Sequence, residues 1–166
     1  MNQRTHTFLR YIFVVALGVF LHFAYKLSGN NPVVGLFALT QESIWEHLKL
    51  IYYPMLLLTL WDLYIRQKNN LNFLPPRTIG ILAGMIFTIV VFYTVAGVIG
   101  DIIAWVNILI YFLSVIFAFW VEKRTYAKSR NLSVFWSVFI LLFLLALFII
   151  FTLSPPDIGL FRPMAE

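Results

Sequence analysis

An all-α, polytopic membrane helix bundle is the fold class the sequence predicts, and three observations predict it. Hydrophobic residues make up 61% of the chain and charged residues only 11%, less than half of the roughly 25% charged that soluble domains carry. Five apolar runs each approach or exceed the ~20 residues that cross a bilayer as a helix. Most charges and turn-forming residues fall between those runs. The 166 residues therefore make one integral membrane domain, 1–166, with no length left for a soluble one. Cysteine is absent, which excludes disulfides, thiolate metal sites and cysteine nucleophiles. The net charge of +5 sits in short loops beside apolar runs. Membrane topology accounts for it, and no nucleic acid is expected as a partner.

The first span is predicted over about 8–27, where an apolar run follows Arg4 and Arg10. It exceeds the ~7–15 apolar residues of a signal peptide and no A-x-A site follows, so it reads as uncleaved. Ser28-Gly29-Asn30-Asn31-Pro32 is a turn cluster, and Val33 to Leu39 is too short to span. That stretch is expected to lie in the interface or to dip in as a re-entrant piece. The second span, about 43–66, opens on Thr40 or Ser43 as its N-cap, and the second choice makes Ser43-x-x-Glu46 a capping box. Pro54 in its middle removes the hydrogen bond to the Leu50 carbonyl.

A polar loop with Pro75-Pro76 is predicted before the third span, about 78–99. Gly80-x-x-x-Gly84 in that span permits close helix contact, read as packing within the chain in preference to dimerisation. Gly100-Asp101 turns directly into the fourth span, about 102–121, so spans three and four form an antiparallel hairpin. The fifth span, about 133–153, is apolar all round beyond its first turn and is expected to meet lipid over a wide face. Five tryptophans near span ends fit an aromatic belt, and Asp62 is expected to pair with Arg66 one turn on.

Counting charges orients the chain. With the N-terminus inside, nine basic residues (Arg4, Arg10, Arg66, Lys68, Arg77, Lys123, Arg124, Lys128 and Arg130) are cytoplasmic, and three (Lys26, Lys49 and Arg162) are external. His22, the Glu42–Lys49 stretch and Asp101 then share the external level, with Asn107 within a turn or two. Such groups are costly at a membrane edge unless they pair or serve a function. One reading is a metal site: His22, Glu46, His47 and Asp101 as ligands of a divalent ion such as zinc, with an open position for water. Glu42, Ser43, Glu46 and His47 are then the candidate catalytic residues, for acid–base work and oxyanion binding on lipid headgroups or lipid-linked substrates. A structural reading accounts for the same residues: Glu46 closes the capping box and pairs with Lys49, Glu42 favours the helix dipole, and the histidines bond across helices.

The stretch Gln41-Glu42-Ser43-Ile44-Trp45-Glu46-His47-Leu48-Lys49 resembles a family of small, uncharacterised bacterial multi-pass membrane proteins with the pattern N-E-S-x-W-E-H-L-K. A P-P-x-x-x-L-F ending is matched by Pro155, Pro156, Leu160 and Phe161; the chain departs at Gln41 and at Arg162-Pro163. The resemblance implies a cell-membrane location and supports the place of the site without naming a reaction. The chemistry is also analogous to that of intramembrane hydrolases of the alkaline ceramidase and adiponectin-receptor type. Those have seven spans and a His-x-x-x-His pair that this chain lacks. Three function classes stay open: a metal-dependent hydrolase or transferase, a small transporter or ion-binding protein, and an assembly or regulatory subunit with a membrane-protein partner or a second copy of itself.

Overall fold

The computed structural model describes residues 3–66, 71–100, 104–126 and 133–163, with side chains from residue 7 onward except those of 66, 99 and 104. Helices α1 (Gln3–Leu27), α2 (Pro32–Gly35), α3 (Ile44–Arg66), α4 (Leu74–Ile99), α5 (Ala104–Tyr126) and α6 (Val134–Leu153) follow in chain order. All except α2 are long and apolar enough to cross a membrane, and among the described residues every regular element is helical.

Three helix ends lie well beyond the sequence expectation, and each brings charge into a helix; the first is α1, which begins at Gln3 and so includes Arg4. Helix α4 begins at Leu74 because Pro75 and Pro76 occupy its first turn, where a missing N–H costs nothing and the fixed φ already suits a helix. Arg77 is therefore a buried helical residue and not a loop charge. Helix α5 runs on to Tyr126, so Glu122 is also helical.

Helix α3 is the axis of the bundle. Its apolar window is 61% buried, against 17–28% in the other four, and it carries the buried Glu46, Lys49 and Asp62. Pro54 leaves the Leu50 carbonyl without its helical donor, and Gly18 of α1 lies against it. A β-carbon at Gly18 would stand 2.7 Å from that oxygen and collide with the Tyr111 hydroxyl of α5. Tyr111 in turn donates to the Val14 carbonyl at 3.1 Å. One small residue thus brings three helices together.

The α4–α5 hairpin is built on Gly80 and Gly84, whose β-carbons would meet the Ala118 carbonyl oxygen at 2.7 Å and the Ala118 side chain at 2.9 Å. The Gly-x-x-x-Gly spacing serves packing within the chain. Deeper in the same seam Thr88 donates to the Ser114 hydroxyl at 2.8 Å, and Ser114 donates to the Ile110 carbonyl. Helix α6 buries only a narrow stripe of Ser137, Leu141, Leu144 and Phe148 and exposes most of its remaining circumference. Tyr52 of α3 fixes it by donating to the Leu141 carbonyl at 2.6 Å.

At the bundle end remote from the α3 N-terminus, four charges join four helices. Arg77 holds Asp62 at 3.0 Å and Glu122 at 2.8 Å, and Arg10 closes on the other Asp62 oxygen. Asp62 therefore pairs across helices with Arg10 and Arg77; the side chain of Arg66, its expected partner, lies outside the described residues. Trp61, Trp105, Trp120 and Trp136 are exposed, as a belt requires, but Trp45 is buried among Phe148, Phe151 and Phe161.

Candidate metal centre

Three chain segments meet at the start of α3. Helix α1 supplies His22, the bend before α3 supplies Glu42 and Ser43, and the first turns of α3 supply Glu46, His47 and Lys49. Ser43 is the N-cap, its hydroxyl accepting from the Glu46 amide at 3.4 Å. The reciprocal half of the expected capping box is absent. The Glu46 carboxylate reaches past Ser43 to accept from the Thr40 amide at 2.8 Å and the Thr40 hydroxyl at 2.9 Å. The Ser43 amide instead donates to the Gln41 carbonyl.

Lys49 completes this inner arrangement. Its ammonium lies 2.9 Å from each Glu46 oxygen and donates to the carbonyls of Gly35 and Ala38, at 3.0 and 3.3 Å. Tyr53, one turn further, donates to the Leu36 carbonyl at 2.9 Å. The segment from the end of α2 to Ala38, whose carbonyls at Gly35, Leu36 and Ala38 accept these bonds, is thus bound to the flank of α3. Glu46 and Lys49 are buried, so the pair is charge-neutral and hydrogen-bonded, the condition under which buried ions are tolerated.

His22, Glu42 and His47 form a separate group. Glu42 places one carboxylate oxygen 3.5 Å from His47 Nε2 and the other 3.9 Å from His22 Nε2. One ligand atom from each residue lies within 4.8 Å of the other two. The two imidazoles are 5.8 Å apart, centroid to centroid. His47 Nδ1 is 2.8 Å from the Ser43 carbonyl oxygen. A carbonyl only accepts, so Nδ1 carries the hydrogen, and in the neutral ring Nε2 presents its lone pair to the Glu42 side. This is the arrangement in which a histidine ligates metal while a backbone carbonyl fixes its tautomer.

Of the residues singled out in the sequence, the structure brings His22, Glu42 and His47 together and holds Glu46 on Lys49. Glu46 is engaged with Lys49 and Thr40, and Glu42 stands between the histidines. Glu42 precedes α3, so the four-residue spacing to Glu46 does not put the two on one helical face. The Ser43 hydroxyl is buried at the cap, and its carbonyl is the group that orients His47. Asp101 lies outside the described residues. Asn107 lines a small cleft beside His47 with Thr88, Tyr111, Ile44, Phe92 and Ile110.

A family model described as a family of unknown function, DUF6512, matches residues 2–166. The chain belongs to DUF6512. No curated protein and no solved structure matches it. Within this DUF6512 chain the residues that sequence reasoning passed over are Gln41 and the tail after α6. Gln41 Nε2 donates to the Phe161 carbonyl at 3.0 Å, and the Trp45 amide donates to the Leu160 carbonyl at 3.0 Å. The two sequence patterns noted above, one before α3 and one after α6, touch each other here.

Proposed function

We propose that this DUF6512 protein is a multi-pass membrane protein that holds a divalent metal ion, zinc being the best match, on His22, Glu42 and His47. With that ion it acts as a hydrolase or transferase on a lipid or lipid-linked substrate. The observation that carries the reading is the convergence of two imidazole nitrogens and one carboxylate, with His47 already set by the Ser43 carbonyl. Zinc bonds of about 2.1 Å in a tetrahedron put ligand atoms ~3.4 Å apart. The 3.5 and 3.9 Å separations, to different oxygens of Glu42, are near that value, and with all ligand atoms within 4.8 Å of one another the side chains must draw together around an ion.

Three protein ligands and a free position form the pattern of catalytic zinc, which lowers the pKa of bound water to ~7. His22 and Glu42 keep 28% and 34% of their side chains exposed, so a substrate can approach. Setting aside buried Arg77 and Lys49, the basic residues still favour placing the α3 N-terminus outside. The site then sits at the level of lipid headgroups.

Elemental analysis of detergent-purified protein beside His22→Ala, Glu42→Gln and His47→Ala tests the reading. About one zinc per chain, lost in every variant, is the expected result. Wild-type protein that takes up no metal after exposure to zinc overturns it. Metal-dependent release of headgroup from labelled phospholipid or lipid-linked substrate then separates an enzyme from a metal carrier.

A further inference from the structure

The geometry points to the segment after α6 as the positioning element of the metal centre. We propose that Gln41 and Phe161 hold Glu42 in place and set the metal affinity without touching the ion. The inference rests on the metal reading above and concerns what makes that centre competent.

The three ligands are not equally supported. His22 and His47 project from long helices, but Glu42 lies in the non-helical stretch 40–43. A ligand on such a stretch is only as well placed as the contacts that fix its backbone. Those contacts come from both sides. Thr40 is bound twice by Glu46. Gln41 and Trp45 are bound by the carbonyls of Phe161 and Leu160. The Trp45 amide lies in the first turn of α3, where backbone donors have no partner within the helix, and the tail supplies that partner.

The tail is itself well fixed. Ser154-Pro155-Pro156 ends α6, and two turns follow, closed by Ile158 to the Pro156 carbonyl and Phe161 to the Ile158 carbonyl, both at 2.9 Å. Phe161 is buried, with its ring 4.8 Å from Trp45 and 5.2 Å from Phe151, centroid to centroid. Leu160 packs with Ile44, Phe92 and Ile110, beside the cleft that His47 lines. The result is a strap from α6 across the start of α3, seated by an aromatic plug and tied by two hydrogen bonds.

Zinc titration calorimetry on the full chain in detergent tests the proposal, with Gln41→Glu and Phe161→Ala as strap variants. Gln41→Glu keeps the size of the side chain and removes the amide donor. Tyr52→Phe, which keeps the ring and loses only the buried hydrogen bond to the Leu141 carbonyl, controls for lowered stability, and Asp157→Asn controls for a change on the exposed part of the tail. Removing groups that orient ligands weakens metal binding about 10–100-fold, and that loss is expected in both strap variants and in neither control. Strap variants that bind within about twofold of Tyr52→Phe overturn the proposal while leaving the metal centre standing.

A readout independent of metal uses the lack of cysteine. Maleimide labelling of Glu42→Cys is expected to speed up several-fold when combined with Gln41→Glu or Phe161→Ala. If wild-type protein binds no zinc, the metal reading falls, and the labelling rate alone decides the strap. An unchanged rate rejects it.

Discussion

Arg77 donates to Asp62 at 3.0 Å from a position with no exposed surface, and the same guanidinium reaches Glu122 at 2.8 Å. With Arg10 on the other Asp62 oxygen, two cations and two carboxylates alternate across α1, α3, α4 and α5. A buried pair adds little net stability over an apolar replacement, but breaking one strands a charge, at about 3–5 kcal/mol. Arg77→Met is therefore expected to lower stability by about that amount, and Arg77→Met with Glu122→Gln to recover part of it. Unfolding in mixed micelles measures both. An Arg77→Met protein within about 1 kcal/mol of wild type would show that the network contributes nothing.

Gly18 predicts a coupling. Gly18→Ala forces its new methyl group toward the Leu50 carbonyl and the Tyr111 hydroxyl, an overpacking that typically costs about 1–3 kcal/mol. Removing the hydroxyl with Tyr111→Phe relieves part of the clash while losing the bond to Val14. The double variant should be more stable than the sum of the single effects allows, by about 0.5 kcal/mol or more. Strict additivity would mean that α1 simply moves away.

Glu46 and Lys49 separate structure from chemistry. Glu46→Gln leaves the Lys49 charge buried without its carboxylate, so a loss of about 3–5 kcal/mol is expected. Glu46→Gln with Lys49→Met should be the milder change. If Glu42 and not Glu46 is the ligand, that double variant retains its zinc, as elemental analysis will read. Zinc lost from a folded double variant would show that the centre depends on Glu46, as a ligand or through its hold on Thr40.

The tryptophans divide by environment. In chains keeping a single tryptophan, Trp61, Trp105, Trp120 and Trp136 should be quenched by brominated lipid, because each is more than half exposed on the bundle surface. Trp45 is 8% exposed, and its indole N–H has no hydrogen-bond partner among the described residues. Its emission should be blue-shifted and resist the quencher. Efficient quenching of Trp45 would contradict the aromatic packing against Phe148 and Phe161.

The five long helices are legible in the sequence because span length and apolarity are local properties. So is the close seam at Gly80 and Gly84, where absence of a side chain is itself the signal. The start of α4 is not legible from a Pro-Pro pair alone, since two prolines mark a loop as well as a first helical turn. Partners on other helices are not legible for another reason. Asp62 has a helical neighbour at Arg66 in the sequence, but which face of α3 meets α1 and α4 depends on helix rotation, which composition does not record. The site shows the same limit at finer scale. Topology brings His22 and His47 to one level, but whether Glu42 or Glu46 joins them turns on where the helix begins. That boundary is set by Ser43 and by the tail, distant in sequence.

The strap also imposes an order in time. Gln41 and its partner Phe161 are separated by 120 residues. At about 5–20 residues per second of synthesis, the segment bearing Glu42 waits on the order of ten seconds for its support. Helices α1 and α3, which carry His22 and His47, are made early, but the stretch bearing Glu42 gains its hydrogen bonds to the tail only after α6 has emerged. A partly synthesised chain thus carries His22, Glu42 and His47 before the contacts that fix the stretch between Thr40 and Ser43 are complete.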